Sequence, residues 1–127
     1  MPRRLMRSIV IAAAVLAAGL ALRLAAAPMP EAMEAALFAL DVAAGERSSA
    51  LKRLRAAPSR AAMEAAGEVS GDLYRPAAPP RAVLVLVPGA SSEGKDHPQL
   101  VAFAASLARV GFAVFVPELP ALRRLQV

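Results

Sequence analysis

The chain has 127 residues and a formal net charge of +5, and 57% of its residues are hydrophobic but only 4% are aromatic. This length allows one small domain at most, and the apolar fraction is too high for a chain that is disordered throughout. Because there is no cysteine, a disulfide framework and a Cys-ligated metal site are excluded. The single histidine, His97, excludes His-cluster metal sites and leaves few options for a general base. We therefore expect neither a metal ion nor a cofactor.

The basic residues do not predict nucleic-acid binding. Arg3, Arg4 and Arg7 precede an apolar run, and a second basic group, between residues 47 and 60, lies in an Ala-rich stretch with acidic residues on either side. Aromatic residues do not interleave either group, so there is no platform on which bases could stack. We expect these charges to lie on solvated helix faces.

Residues 1–28 have the pattern of a signal peptide or a signal anchor. The uncharged run from Ser8 to Leu22 is about 15 residues, which suits the apolar region of a signal peptide. Counting on through Arg23 to Ala27 gives about 20 residues, enough for a transmembrane helix. The leading basic residues predict that the C-terminal part is placed on the non-cytoplasmic side of an inner membrane, in the periplasm, or is secreted if the chain is cleaved. Cleavage at the A-x-A site that ends at Ala27 is disfavoured by Pro28.

Residues 29–67 are predicted to form an Ala-rich helical spacer. Pro30 and Glu31 suit a first helical turn, and Gly45 suits the position after a helix end. Apolar residues recur at helical spacing at Met33, Leu37 and Leu40, which indicates an apolar face. We expect three helices, from Pro30 to about Gly45, from Ser49 to Ala57 and from Arg60 to Ala66.

Residues 68–127 have the pattern of an α/β domain. A stretch with strand character at Leu73 and Tyr74 leads through a Pro-rich turn into the unbroken apolar run Ala82–Val87, which is typical of a strand buried on both faces. A loop and a helix from Pro98 to Val110 follow, and then a second buried strand, Phe112–Pro117. This order predicts a βαβ unit with adjacent parallel strands and a right-handed crossover.

The helix of this unit is predicted to present Leu100, Phe103 and Leu107 to the sheet. Neighbouring residues of a strand point to opposite faces, so the helix contacts one of two sets on the first strand. These sets are Val83, Val85 and Val87, or Leu84 and Leu86. Whichever set faces away from the helix is expected to have no cover.

The pattern LYRP…PPRAVLVLVPGAS…GKDHPQLVAFAASLARVGFAVFVPEL resembles the N-terminal part of an α/β-hydrolase. The likeness runs over about residues 71–120. It implies that the loop of Gly89, Ala90 and Ser91 forms part of the oxyanion hole, with the backbone N–H of Ala90 as donor. Pro88 stands where many members of the family have His, and Glu118 where many have Asp.

The sequence lacks the other catalytic parts of that family. There is no G-x-S-x-G nucleophile elbow, and His97 comes too early to be the histidine of the triad. We therefore identify no catalytic residue, and expect an inactive N-terminal fragment of a membrane-anchored or exported serine hydrolase that acts on ester-type substrates. The alternative is a non-enzymatic, membrane-tethered module that acts through its helical arm. His97, Lys95 and Asp96 are expected to be ordinary loop residues.

Overall fold

The computed structural model describes residues 3–26 and 29–124. By its internal contacts the chain divides into two units, Met1–Pro30 and Glu31–Val127. The second unit contains the sheet and all the predicted site residues, so the N-terminal unit is described separately below.

The described part of the N-terminal unit contains one helix, α1 (Arg3–Ala26), as its run of Ala, Leu and Ile predicts. Among the described residues, however, no helix combines the length and the apolar composition that crossing a membrane requires. Ala27 and Pro28, on which the cleavage prediction depends, lie outside the described residues.

Two short helices begin the second unit, α2 (Glu31–Ala44) and α3 (Ala50–Leu54). The end of α2 is as predicted, because Gly45 has a φ of +59° and its N–H donates to the carbonyl of Asp41 at 3.1 Å. Ser49 caps α3, since its hydroxyl accepts a hydrogen bond from the N–H of Lys52 at 3.1 Å. Helix α3 ends three residues before the predicted end at Ala57.

The helix predicted over Arg60–Ala66 is wrong, because these residues belong to a β-hairpin. Strand β1 (Ser59–Ala65) pairs antiparallel with β2 (Val69–Arg75) along its whole length. The turn between them contains Ala66 and Gly67, both with positive φ, at 54° and 74°. Ala, Met and Glu favour a helix locally, but pairing with β2 overrides that preference.

The predicted βαβ unit is confirmed. Strand β3 (Ala82–Val85) pairs in parallel with β4 (Phe112–Pro117), and helix α4 (Pro98–Arg109) connects them. The sheet order is β1-β2-β4-β3, so that β2 lies antiparallel to β4 and β3 forms an edge. The fold class is therefore α/β, with a four-stranded mixed sheet. Strand β3 ends at Val85, two residues before the predicted end, and the short helix α5 (Pro120–Arg124) follows β4.

Helix α4 covers one face of this sheet. The buried core consists of Tyr74, Val114 and Val116 from the strands with Ala104 and Ala108 from α4. Of the two predicted sets of side chains, the one with Leu86 packs against this core, whereas Val83, Val85 and Val87 are 57–68% exposed. The predicted uncovered face is thus present among the described residues.

The faces of the helices differ in part from the prediction. Leu100 and Leu107 pack against the core of the sheet, but the ring of Phe103 instead lies against Phe38 of α2, with the ring centroids 6.2 Å apart. On α2 the predicted apolar residues Met33 and Leu40 are exposed, at 54% and 62%. The inward side of α2 carries two carboxylates as well as apolar residues.

One of these carboxylates, Asp41, is fully buried and attaches the helical arm, α2 and α3, to α4. It accepts hydrogen bonds from Ser49 at 2.5 Å and from Ser106 of α4 at 2.6 Å. The cations Lys52 and Arg109 lie 3.2 and 3.3 Å from its oxygens. Burial by itself raises the pKa of Asp41, but the bonds from Ser106, Ser49 and Lys52 outweigh it and lower that pKa below its usual value. The segment predicted to be a spacer is therefore an integral part of the fold.

Candidate functional site

The candidate site lies at the carboxyl ends of the parallel strands, the edge at which open α/β sheets bind ligands. The loop that leaves β3 runs from residue 86 to residue 97 and ends at the first turn of α4. Between the loop and this turn is a cleft of about 370 Å³. It is lined by Gly89, Ala90, Ser91, Gly94, His97, Gln99, Leu100 and Phe103.

Gly89, Ala90 and Ser91, the predicted oxyanion-hole residues, all line this cleft. Gly89 and Ala90 are exposed, and the N–H of Ala90 donates to no described residue. A Cβ added to Gly89 meets no atom within 4 Å, so the space beside the loop is open. A free backbone donor beside an open cleft is what an oxyanion hole requires.

None of the described serines near the loop is arranged as a nucleophile. The Ser91 hydroxyl accepts a hydrogen bond from the N–H of Gly94 at 3.1 Å and so stabilises the turn of the loop. Ser106 is buried, and its hydroxyl donates to Asp41. Neither hydroxyl is paired with the histidine, so the general-base activation that a serine nucleophile needs is not present here.

His97 lines the cleft and occupies the position before the first turn of α4. Its side chain makes no capping hydrogen bond. Its Nε2 lies 3.6 Å from a carboxylate oxygen of Glu93, and both side chains are more than one-third exposed. This arrangement is typical of a solvent-exposed contact between loop side chains.

Beside the loop lies a group of charges that we name the edge cluster, which comprises Arg60, Asp72, Lys95, Asp96 and Glu118. The sequence indicated that Lys95 and Asp96 are ordinary solvated residues of the loop. The structure instead places both of them in this cluster. The Lys95 ammonium lies 3.2 Å from Asp72 of β2 and 4.0 Å from Glu118, and its side chain is only 17% exposed. Arg60 of β1 bonds both aspartates, at 2.5 Å each. The hydrogen bond from Arg60 lowers the pKa of Asp96.

Sequence reasoning missed Arg60, Asp72 and Glu118 as neighbours of the loop. Arg60 was assigned to a helix, and only its place in β1, directly opposite Tyr74 of β2, brings it to the sheet edge. The available signal was the acid Asp72 in an otherwise strand-like segment, because a buried carboxylate in a strand needs a cationic partner. Among the described residues no group of three or more His, Cys, Asp or Glu is placed to hold a metal ion.

Tyr74 lies under the edge cluster, with the Arg60 guanidinium 5.4 Å from the centre of its ring. This is a cation–π distance. The side chain is 2% exposed, and its hydroxyl has no hydrogen-bond partner among the described residues. Burial raises the pKa of Tyr74. Tyr74 is therefore a core residue whose polar end is left unsatisfied.

Comparison of the chain with protein-family models, with curated proteins and with solved structures finds no match in any of the three.

Proposed function

We propose that this chain is the N-terminal part of an exported serine hydrolase of the α/β-hydrolase family, with an ester-type substrate. The observation that carries the proposal is the loop after β3, where the N–H of Ala90 is unpaired beside an open cleft. In α/β-hydrolases an oxyanion-hole donor comes from the loop between the third strand and the following helix. The loop of Gly89, Ala90 and Ser91 follows the third strand of this sheet and precedes α4.

The uncovered sheet face supports the second half of the proposal, that more chain belongs to this domain. Val83 and Val85 are 68% and 64% exposed on an edge strand, and no described strand pairs with its outer side. Parallel sheets are normally covered on both faces, and bare apolar edges are prone to unwanted pairing. Further strands and helices, carrying the nucleophile elbow and the late histidine, supply that cover in the proposed complete domain.

The experiment is to identify what accompanies the chain in its source. An antibody against residues 31–124 recovers the native protein, which is then treated with a fluorophosphonate probe for activated serines. We expect label on a longer polypeptide, or on a companion, that contains G-x-S-x-G and a late histidine. The isolated 127-residue chain is expected to take no label and to leave chromogenic esters unhydrolysed, because nucleophile and base act as a unit. Turnover by the isolated chain that disappears on Ser91→Ala contradicts the proposal.

Export forms a separate part of the proposal. The basic residues before the uncharged run of about 15 residues fit a signal peptide, and they direct the rest of the chain outward. A reporter that is active only outside the cytoplasm, fused after Val127, is expected to be active. A matched variant with Leu16→Arg and Leu20→Arg, which interrupts the apolar run, is expected to lose that activity. Equal activity of the two fusions contradicts export through this segment.

The alternative, a module that acts through its helical arm, is less well supported. The inward carboxylates of α2 are both engaged, Asp41 with α4 and Glu34 with Arg81 at 2.7 Å. An arm attached in this way presents little free binding surface on its inward side.

A further inference from the structure

The loop after β3 contains few backbone hydrogen bonds of its own. Between Leu86 and the start of α4 the backbone bonds run from Gly94 to Ser91, from Asp96 to Glu93 and from His97 to Gly94, at 3.1–3.2 Å. The stretch with Gly89 and Ala90 contributes none of them. Before this stretch the chain is fixed by the N–H of Leu86, which donates to the carbonyl of Phe115 at 2.9 Å. After it, the position of the chain depends on how the second half of the loop is fixed to the sheet.

Lys95 makes that attachment. Its ammonium donates to Asp72 of β2 at 3.2 Å and lies 4.0 Å from Glu118, which directly follows β4. One side chain thus joins the loop to two strands. Burial by itself lowers the pKa of Lys95, but the bond to Asp72 and the nearby negative charges raise it above its usual value, so the ammonium stays charged at neutral pH.

The attachment is transmitted to the proposed oxyanion donor through one tight turn. Gly94, the neighbour of Lys95, donates its N–H to both the carbonyl and the hydroxyl of Ser91, at 3.2 and 3.1 Å. Gly94 has a φ of +55°, which favours glycine. Ser91 is adjacent to Ala90, so fixing residue 95 fixes the N–H of residue 90 through this turn.

Two other side-chain attachments of the loop are more exposed. Arg60 of β1 donates to Asp96 at 2.5 Å, and these side chains are 36% and 58% exposed. Arg123 of α5 donates from Nε to the carbonyl of Ser92 at 3.1 Å, but its side chain is 45% exposed. Exposed pairs of this kind contribute little because water screens them and because a long side chain must be ordered. The pair of Lys95 with Asp72 is the best shielded of the three, because these side chains are only 17% and 10% exposed.

We propose that Lys95 is the positioning residue of the loop of Gly89, Ala90 and Ser91, acting through its ion pair with Asp72. The oxyanion role of that loop rests on the proposed function, whereas the attachment itself rests only on the contacts given above. No other part of the described loop carries a side chain that reaches β2 and the end of β4 together.

The test uses hydrogen–deuterium exchange of the full chain at low concentration, followed in peptides that cover residues 91–97 and 112–117. Lys95→Met removes the charge and keeps the length of the side chain. We expect the bonded amides of Gly94, Asp96 and His97 to exchange at least about tenfold faster, the change implied by losing one charge-assisted hydrogen bond. The β4 amides are expected to keep their rates.

Two further variants complete the experiment. Lys95→Arg retains a cation that can reach Asp72 and is expected to restore slow exchange. Arg53→Met, which removes a positive charge from an exposed position of α3, is the matched control and is expected to change nothing. Unchanged loop exchange in Lys95→Met, or an equal rise in the loop and β4, overturns the proposal. Absence of a hydrolase partner in the source leaves these rates unaffected, so the two proposals fail separately.

Discussion

The two faces of the sheet are built from the same kinds of residue but end in different environments. On the covered face Val114 and Val116 are 0% exposed beneath α4, and the helical arm packs on α4 in turn. On the open face Val83 and Val85 remain more than 60% exposed, and an apolar groove of about 540 Å³ runs beside them. An apolar strand alone therefore does not make a core, because a core also requires a layer that covers the strand.

The covered face is held by more than apolar contact. Its outer layer, the arm, is attached through the buried Asp41, which two hydroxyls and two cations satisfy. Within the part of the chain that the structure describes, the open face has no equivalent, since Arg75 is the single charged residue that lines its groove. Stability is therefore expected to respond strongly to changes on one side of the sheet and weakly to changes on the other.

The largest effect is expected from Asp41→Asn. The substitution leaves the cations Lys52 and Arg109 near a neutral group, and breaking a buried ion pair by removing one partner costs about 3–5 kcal/mol. Because the pKa of Asp41 is lowered in the folded protein, its contribution is fully present above the ordinary value of 3.8 and is lost as the pH falls through the folded value. Unfolding by urea at pH 7 and at pH 3 measures both effects.

The control for this prediction is Glu31→Gln, at an exposed carboxylate in the first turn of the same helix. It is expected to change the free energy of unfolding by less than about 0.5 kcal/mol. The Asp41→Asn variant is expected to lose less stability than the parent between pH 7 and pH 3. An unchanged pH dependence contradicts the role assigned to Asp41.

A pair of identical substitutions compares the two faces directly. Val114→Ala removes two buried methyl groups from the covered face and leaves a cavity, which costs about 2–3 kcal/mol. Val83→Ala removes the same groups from a side chain that is 68% exposed and is expected to cost less than about 0.5 kcal/mol. Equal losses in thermal or urea unfolding contradict the picture of one covered and one open face.

The sequence predicted the βαβ unit because its apolar runs and the spacing of α4 are strong local signals. It also allowed for a bare set of side chains on β3. It did not predict β1, since Ala, Met and Glu favour a helix and only pairing with β2 makes them a strand. Nor did it predict Asp41 or the edge cluster, because partners such as Ser106 are 65 residues away and only the fold brings them together.

The candidate site shows the same division. Gly89, Ala90 and Ser91 were located from a local pattern, and the structure places all three beside one cleft. The role of Lys95 could not be predicted, because its partner Asp72 lies on a strand 23 residues earlier. Local patterns identify the loop, whereas contacts distant in sequence decide how it is held.

A smaller effect is expected on the covered face from Tyr74→Phe. The hydroxyl of Tyr74 is buried without a described partner, and an unsatisfied buried hydroxyl costs free energy. Phenylalanine keeps the ring in the core and below Arg60, so the substitution is expected to raise the free energy of unfolding by up to about 1 kcal/mol. A loss of stability in urea unfolding contradicts the assignment of the hydroxyl as unpaired.

The smallest effect on stability, and the clearest on association, is expected from Val83→Lys on the open face. Edge strands that expose apolar residues pair with other chains, and a lysine at such an edge opposes that pairing. The free energy of unfolding is expected to change by less than about 0.5 kcal/mol. In light scattering, the variant is expected to stay monomeric up to a higher concentration than the parent chain.

The control is Val42→Lys, at a valine that is 38% exposed on α2, which adds the same charge away from the sheet. Because only the edge position interferes with strand pairing, an equal gain from both substitutions shows that net charge, and not the open face, governs association.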